Sequence, residues 1–364
     1  MWLRQIYPSK HNDAFVGASD SDTIPERAYH FSVSESMRHA YYIGFEVLTD
    51  GTQLNTLRVV DMFKATISRY HLPSRLSSIC LLYEASSGLA LVGCGNDKSV
   101  TIFQTVVDHR SKALVPVRKL LTISGRDHTW SWNSTRSENG MTLTELNERT
   151  GTLRMFDIKC TGETTYSEID HYPALGLAPY TQPWQEAATL SAFERSTTPF
   201  GRLIFTGRIL NIDIKGRRIE YIRPERSPFD VKPGHELESV LRIPRLMKQI
   251  YRNGRLWVIT ENIARMGIAV SLWTISGGKW DYLMDLEANY RDITLDVTGD
   301  DTAIILIKTP PDSGSCTNVR IKSLLMLRIG NVPKLTTIAL LSLLDSPNSP
   351  ALDDHMCRIL ERSL

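Results

Sequence analysis

One segment recurs along this chain and limits its fold more than any other feature. It is a polar turn, then a short strand ending in a large apolar residue, often followed by aspartate. The clearest copies are Thr56–Asp61, Ser99–Gln104 and Gly151–Asp157, and weaker ones are Arg208–Asp213, Ala269–Thr274 and Leu324–Arg328. Their apolar anchors (Val60, Phe103, Phe156, Ile212, Trp273 and Leu327) lie 43, 53, 56, 61 and 54 residues apart, the first a usual repeat period and the others lengthened by loop insertions. A unit of this size cannot bury its own hydrophobic face, so the copies must pack against one another.

The segments between the copies are built for β structure. Short β-branched and aromatic runs alternate with turn signals, and helical periodicity is scarce. Asp50-Gly51, Asn253-Gly254 and Thr298–Asp301 each separate two such runs, and the first two are hairpin signatures because the turn needs positive φ. Trp130-Ser131-Trp132 alternates on a strand, so both indoles share one face, either packed between repeats or presented to a partner. An all-β fold of repeated units follows.

The repeat ends resemble those of the WD-repeat family, whose repeats end in a strand of the type Asp-x-Thr-Val-Arg-x-Trp-Asp. Asp97–Gln104 matches with Phe103 for tryptophan and Gln104 for aspartate, and Gly151–Asp157 matches with Phe156-Asp157 as its end pair. The resemblance spans about residues 40–330, while the Gly-His that opens a family repeat survives only as the distorted Gly125–His128. It implies one propeller over 41–345, preceded by a partly irregular segment 1–40. The interval that closes the ring favours seven blades, with six the alternative. Beyond it, Ser349-Pro350 caps a short helix within 346–364, with Leu352, Met356, Ile359 and Leu360 along one face.

The chemistry-bearing residues form no catalytic, cofactor or metal motif. Gly93-Cys94-Gly95, expected in a hairpin turn, lacks the rest of a dinucleotide fingerprint, and Gly277-Gly278-Lys279 is followed by Trp280 where a phosphate loop needs a hydroxyl. No Gly-x-Ser-x-Gly elbow occurs. None of the nine histidines lies two to five residues from another, so no compact metal pair is expected. The five cysteines are widely spaced and are expected as reduced thiols. Residues 1–10 lack an apolar core and no apolar run approaches membrane-spanning length, so a soluble cytoplasmic or nuclear protein is expected.

The leading functional expectation is therefore a non-enzymatic protein-interaction scaffold. Residues 202–255 hold thirteen basic residues against six acids, while 281–301 hold seven acids and one arginine. Arg217, Arg218, Arg223, Arg252 and Arg255 are expected to form one basic patch for an acidic partner or, as a second expectation, for nucleic acid. A propeller enzyme with a dispersed site is a third. Phe156-Asp157-Ile158-Lys159 and Ile212-Asp213-Ile214-Lys215 are similar to the Trp-Asp-x-Arg element of WD-repeat substrate receptors in cullin-type ubiquitin ligases. That resemblance implies that Asp157, Lys159, Asp213 and Lys215 face a ligase adaptor, with both ammonium groups free.

Overall fold

The computed structural model describes residues within 1–7, 31–169, 184–226, 245–288 and 293–329, apart from short connecting segments. Every extended element among the described residues is a strand, and the strands assemble into six four-stranded antiparallel sheets. This is the blade architecture of a β-propeller, the all-β class expected from the repeats.

The chain divides into two compact units, Met1–Gly125 with Asp292–Leu364, and Arg126–Arg291. In the first, β1 (Trp2–Tyr7) precedes two complete sheets. These are β2 (Phe31–Val33), β3 (His39–Val47), β4 (Gln53–Asp61) and β5 (Thr66–Tyr70), then β6 (Ile79–Glu84), β7 (Leu89–Asn96), β8 (Ser99–Asp108) and β9 (Ala113–Ile123).

The second unit holds three sheets. They are β10 (Trp130–Ser137), β11 (Gly140–Asn147), β12 (Leu153–Lys159) and β13 (Thr164–Ile169); β14 (Trp184–Glu186), β15 (Thr189–Thr197), β16 (Leu203–Asp213) and β17 (Ile219–Ile222); and β18 (Arg245–Arg252), β19 (Arg255–Ala264), β20 (Gly267–Ser276) and β21 (Lys279–Leu286). The first unit ends with β22 (Ile293–Val297), β23 (Thr302–Lys308) and β24 (Ile321–Arg328), and β1 completes that sheet by pairing with β24 from Trp2↔Arg328 onward.

All six repeat segments lie on the third strand of a sheet: β4, β8, β12, β16, β20 and β24. The repeat is thus one blade, and six copies make six sheets among the described residues. The seventh blade favoured by the closing interval is not among them. That interval is taken up by β1, β2 and β3, which join sheets already counted, together with segments outside the described residues. Because β1 and β2 are built into sheets, the sheet structure begins before residue 41. The helix expected within 346–364 lies outside the described residues.

Turn chemistry sets the register. Asn253 (φ 48°) and Gly254 (φ 73°) form the two-residue turn of a hairpin closed by Arg252↔Arg255. Gly277 (φ 57°) and Gly278 (φ 72°) do the same between Ser276 and Lys279. Positive φ at both positions is the geometry whose twist matches the flanking strands. Val47↔Gln53 and Val297↔Ala303 close the other two expected hairpins. Gly93, Cys94 and Gly95 lie within β7, not in a turn; the turn follows the pair Asn96↔Ser99.

Burial falls from the first strand of a sheet to the fourth. β22 is buried at nearly every position, whereas β5, β9 and β21 are largely half-buried or exposed. Phe156 is buried at 7% exposure and packs on Tyr166, its partner across the β12–β13 pair, with ring centroids 5.1 Å apart. Phe103, expected to be fully buried, is only half-buried. Its neighbours Ile102 and Gln104 are buried on one face of β8, while Phe103 packs on the other against the cluster that Leu57 and Val59 form with Ala90 and Val92 of the next sheet.

Candidate functional site

Among the described residues, a group of titratable side chains lies between two neighbouring sheets of the first unit. His39 opens β3, Glu84 closes β6, and His109 follows the last residue of β8. One donor atom from each lies within 4.8 Å of the others.

Local structure delivers each group. The turn before His39 is fixed by Ser34, whose hydroxyl accepts the His39 amide at 3.0 Å and whose own amide donates to the His39 carbonyl at 2.8 Å. Across the β3–β4 pair His39 faces Asp61, which accepts the Phe63 and Lys64 amides, each at 3.0 Å, and Arg38 Nε at 3.3 Å. Asp108 plays the same part at the end of β8. Its carboxylate accepts the Arg110 and Ser111 amides at 2.9 and 3.3 Å and the Ser111 hydroxyl at 2.6 Å. These bonds hold the Asp108 carboxyl below its ordinary pKa, the Ser111 hydroxyl contributing most. They form the turn on which His109 sits. The two sheets are tied together beside it, because His71 donates its amide to the Lys112 carbonyl and accepts the Leu114 amide.

The cluster is tightly contacted. The imidazoles of His39 and His109 stack with centroids 4.2 Å apart and planes 21° from parallel. His109 Nε2 lies 3.5 Å from Glu84 Oε1, and His109 Nδ1 shares a hydrogen bond of 2.6 Å with the Tyr70 hydroxyl. The Tyr41 hydroxyl donates to Glu84 Oε2. Glu84 is buried at 4% exposure, while the His109 side chain is 38% exposed, so one wall of the cluster reaches solvent.

Burial, with the neighbouring His109, Arg38 and Lys64, pushes the His39 pKa down to about 3. At neutral pH its ring is uncharged and keeps a lone pair for a proton or a metal. Burial, with the carboxylates of Glu84, Asp108 and Asp61, pushes the Tyr70 hydroxyl up to about 12, so it stays a neutral phenol.

The fold brings together two histidines that sequence spacing does not pair. The two residues are far apart in sequence, and spacing rules see only near neighbours. A signal was nonetheless present. Asp61 and Asp108 each end a third strand, and aligning the repeats on them puts His39, opposite Asp61, and His109, next to Asp108, at the same end of adjacent sheets. In that register the true end of the second repeat is Val107-Asp108 rather than Phe103-Gln104.

The residues singled out by sequence fare differently. Asp157 lies on β12, accepts the Thr142 hydroxyl at 3.4 Å and pairs with Lys159 Nζ at 3.5 Å. The Lys159 ammonium is therefore engaged by its own strand neighbour, contrary to the expectation that it is free. The two side chains stand two residues apart on one face of a strand, within reach of each other. The side chain of Asp213 and all of Lys215, Arg217 and Arg218 lie outside the described residues. Arg223 is exposed, but Arg252 is buried at 5% exposure and Arg255 half-buried, so Arg252 does not belong to a surface patch. It faces Arg255 across the tight Asn253-Gly254 turn, where its stem packs inward. On the acidic side Asp296 is also internal, accepting the Val33 amide at 2.6 Å from the neighbouring sheet. Trp130 and Trp132 lie on β10 as expected, opposite Asn147 and Glu145.

No protein-family model matches the chain, and no curated protein matches it. Among solved structures it is similar to an α-L-arabinanase of Penicillium chrysogenum bound to arabinobiose, at 12% identity over 90% of this chain and 98% of that one, with a TM-score of 0.48. It is also similar to an α-L-arabinofuranosidase of Fusarium graminearum, at 10% identity over 88% and 95%, with a TM-score of 0.48. The WD40 domain of Toxoplasma gondii coronin is similar at 9% identity over 92% and 77%, with a TM-score of 0.40. Likenesses this distant carry nothing about activity, and the propeller class rests on the sheets themselves. Among the described residues no helix is long and apolar enough to cross a membrane.

Proposed function

We propose that the chain is a non-catalytic protein-binding propeller. One observation carries this reading. Each of the three sheets in Arg126–Arg291 bears a tyrosine more than half exposed on its fourth strand: Tyr166 on β13, Tyr221 on β17 and Tyr282 on β21. Each stands opposite an apolar residue of the third strand: Phe156, Leu210 and Trp273 respectively. Tyrosine offers a large rigid contact face with a polar tip at low entropic cost, which is why it is enriched in interface hot spots. Its recurrence at one place in successive repeats is the pattern of a binding surface. The test is affinity capture with the wild type and with a Tyr166→Ser, Tyr221→Ser, Tyr282→Ser variant. Specific partners should be lost together while the far-ultraviolet spectrum is unchanged. Partners retained by the variant refute the assignment.

Within that class, the finer proposal is a substrate receptor or adaptor of a ubiquitin ligase, contacting a cullin adaptor through Asp157, Lys159, Asp213 and Lys215. The exposed Asp157–Lys159 pair is worth well under about 1 kcal/mol, so a partner carboxylate can displace it. Charge reversal of Lys159 and Lys215 should abolish co-purification with such an adaptor. Nucleic-acid contact through 202–255 is weakened by the burial of Arg252. A second reading, a propeller enzyme, is favoured by the His39–Glu84–His109 cluster, where polar groups from neighbouring sheets converge.

A further inference from the structure

We propose that His39, Glu84 and His109 form a binding site for a divalent transition metal of the zinc class, held between two adjacent sheets. The proposal is independent of the scaffold reading and stands or falls without it.

The donor set is the first argument. Two imidazoles and one carboxylate are ligands that zinc accepts in three-ligand sites, leaving a fourth position for water or another ligand. The donor atoms lie within 4.8 Å of one another, against about 3.3 Å between ligands in a tetrahedron with bonds near 2.0–2.1 Å. The gap closes by side-chain torsion, with the stacked rings turning their nitrogens inward.

The supporting shell is the second. A metal-bound histidine normally gives its other nitrogen to a hydrogen-bond partner that fixes ring and tautomer. His109 has that arrangement, with Nδ1 on the Tyr70 hydroxyl and Nε2 turned to Glu84. The Glu84 carboxylate is oriented in the same way, with Oε2 on Tyr41 and Oε1 toward His109. Both tyrosines act as positioning residues.

Electrostatics is the third. A buried carboxylate is costly unless a cation or several donors answer it. A divalent ion seated among the three groups would answer the Glu84 carboxylate, which is buried at 4% exposure. The open position faces the solvent side, where His109 is exposed.

The experiment uses the full chain, stripped with a chelator and dialysed. Zinc ion and cobalt(II) are titrated by calorimetry and by visible absorption, with magnesium as the contrast. One equivalent of zinc should bind and raise the melting temperature. Cobalt should give the intense d–d bands of a four-coordinate site. Magnesium should do neither. His109→Ala, a change at an exposed loop position, should keep the wild-type circular dichroism and lose the bound equivalent. Glu84→Gln should weaken binding strongly. Tyr70→Phe should weaken it about 10- to 100-fold, as loss of an outer-shell partner does, with altered cobalt bands. No stoichiometric zinc binding by the wild type overturns the proposal, as does undiminished binding by folded His109→Ala.

Discussion

His39 makes a quantitative prediction about acid stability. Its pKa is depressed in the native state to about 3 from the ordinary 6.5, chiefly by burial. The native chain therefore resists a proton that the unfolded chain accepts, and stability falls as pH drops below 6.5. The slope is about 1.4 kcal/mol per pH unit. Between pH 7.5 and pH 5 the loss from this one residue is about 2 kcal/mol. That window lies wholly above the native pKa, so the figure depends on the unfolded value and not on how far down the native one sits. The perturbation is His39→Gln, which keeps a polar side chain of similar reach and removes the titration. The assay is urea denaturation of both proteins at several pH values across the window, with chelator present so that proton uptake is not confused with metal release. The wild type should lose about 2 kcal/mol relative to the variant on acidification. A difference constant to within about 0.5 kcal/mol would show that the His39 ring is not held neutral by burial and would refute the reasoning.

Three further changes probe the fold. Phe156→Ala removes a buried ring with its Tyr166 partner and should cost about 3–5 kcal/mol, read as a fall in the urea midpoint. Gly140→Ala should destabilise by at least about 1–3 kcal/mol, because a Cβ there would sit 2.0 Å from the Ile158 carbonyl oxygen on the paired strand; an unchanged melting temperature would contradict that register. Asp296→Ala leaves the buried Val33 amide without its carboxylate and should cost about 1–3 kcal/mol, with hydrogen exchange at Val33 accelerating selectively.

Much of the fold was legible because strand geometry is local. Alternation, paired turn residues and the recurring segment depend on neighbours in sequence, and all six copies of that segment lie on the third strand of a sheet. The errors arose where locality ends. Phe103 matches the family's tryptophan position, but β8 runs on to Asp108, so Val107-Asp108 and not Phe103-Gln104 ends the strand. Arg252 was read as surface because arginines are usually exposed, yet its place beside a tight hairpin buries its stem. Six sheets are present among the described residues, and β1 completes the one begun by β22, so the closing interval alone does not set the blade count.

The sequence by itself determined that the chain is a repeated β structure and where three of its hairpins turn, since φ preference and two-residue periodicity act over a few residues. Only the tertiary structure decided the candidate site. His39, Glu84 and His109 are separated by whole strands in the chain, and they meet because β3, β6 and the turn after β8 come together where two sheets pack. Their chemistry has the same origin. An imidazole alone in sequence has an ordinary pKa, and burial against a second imidazole and two cations makes His39 a neutral, lone-pair-bearing group at physiological pH.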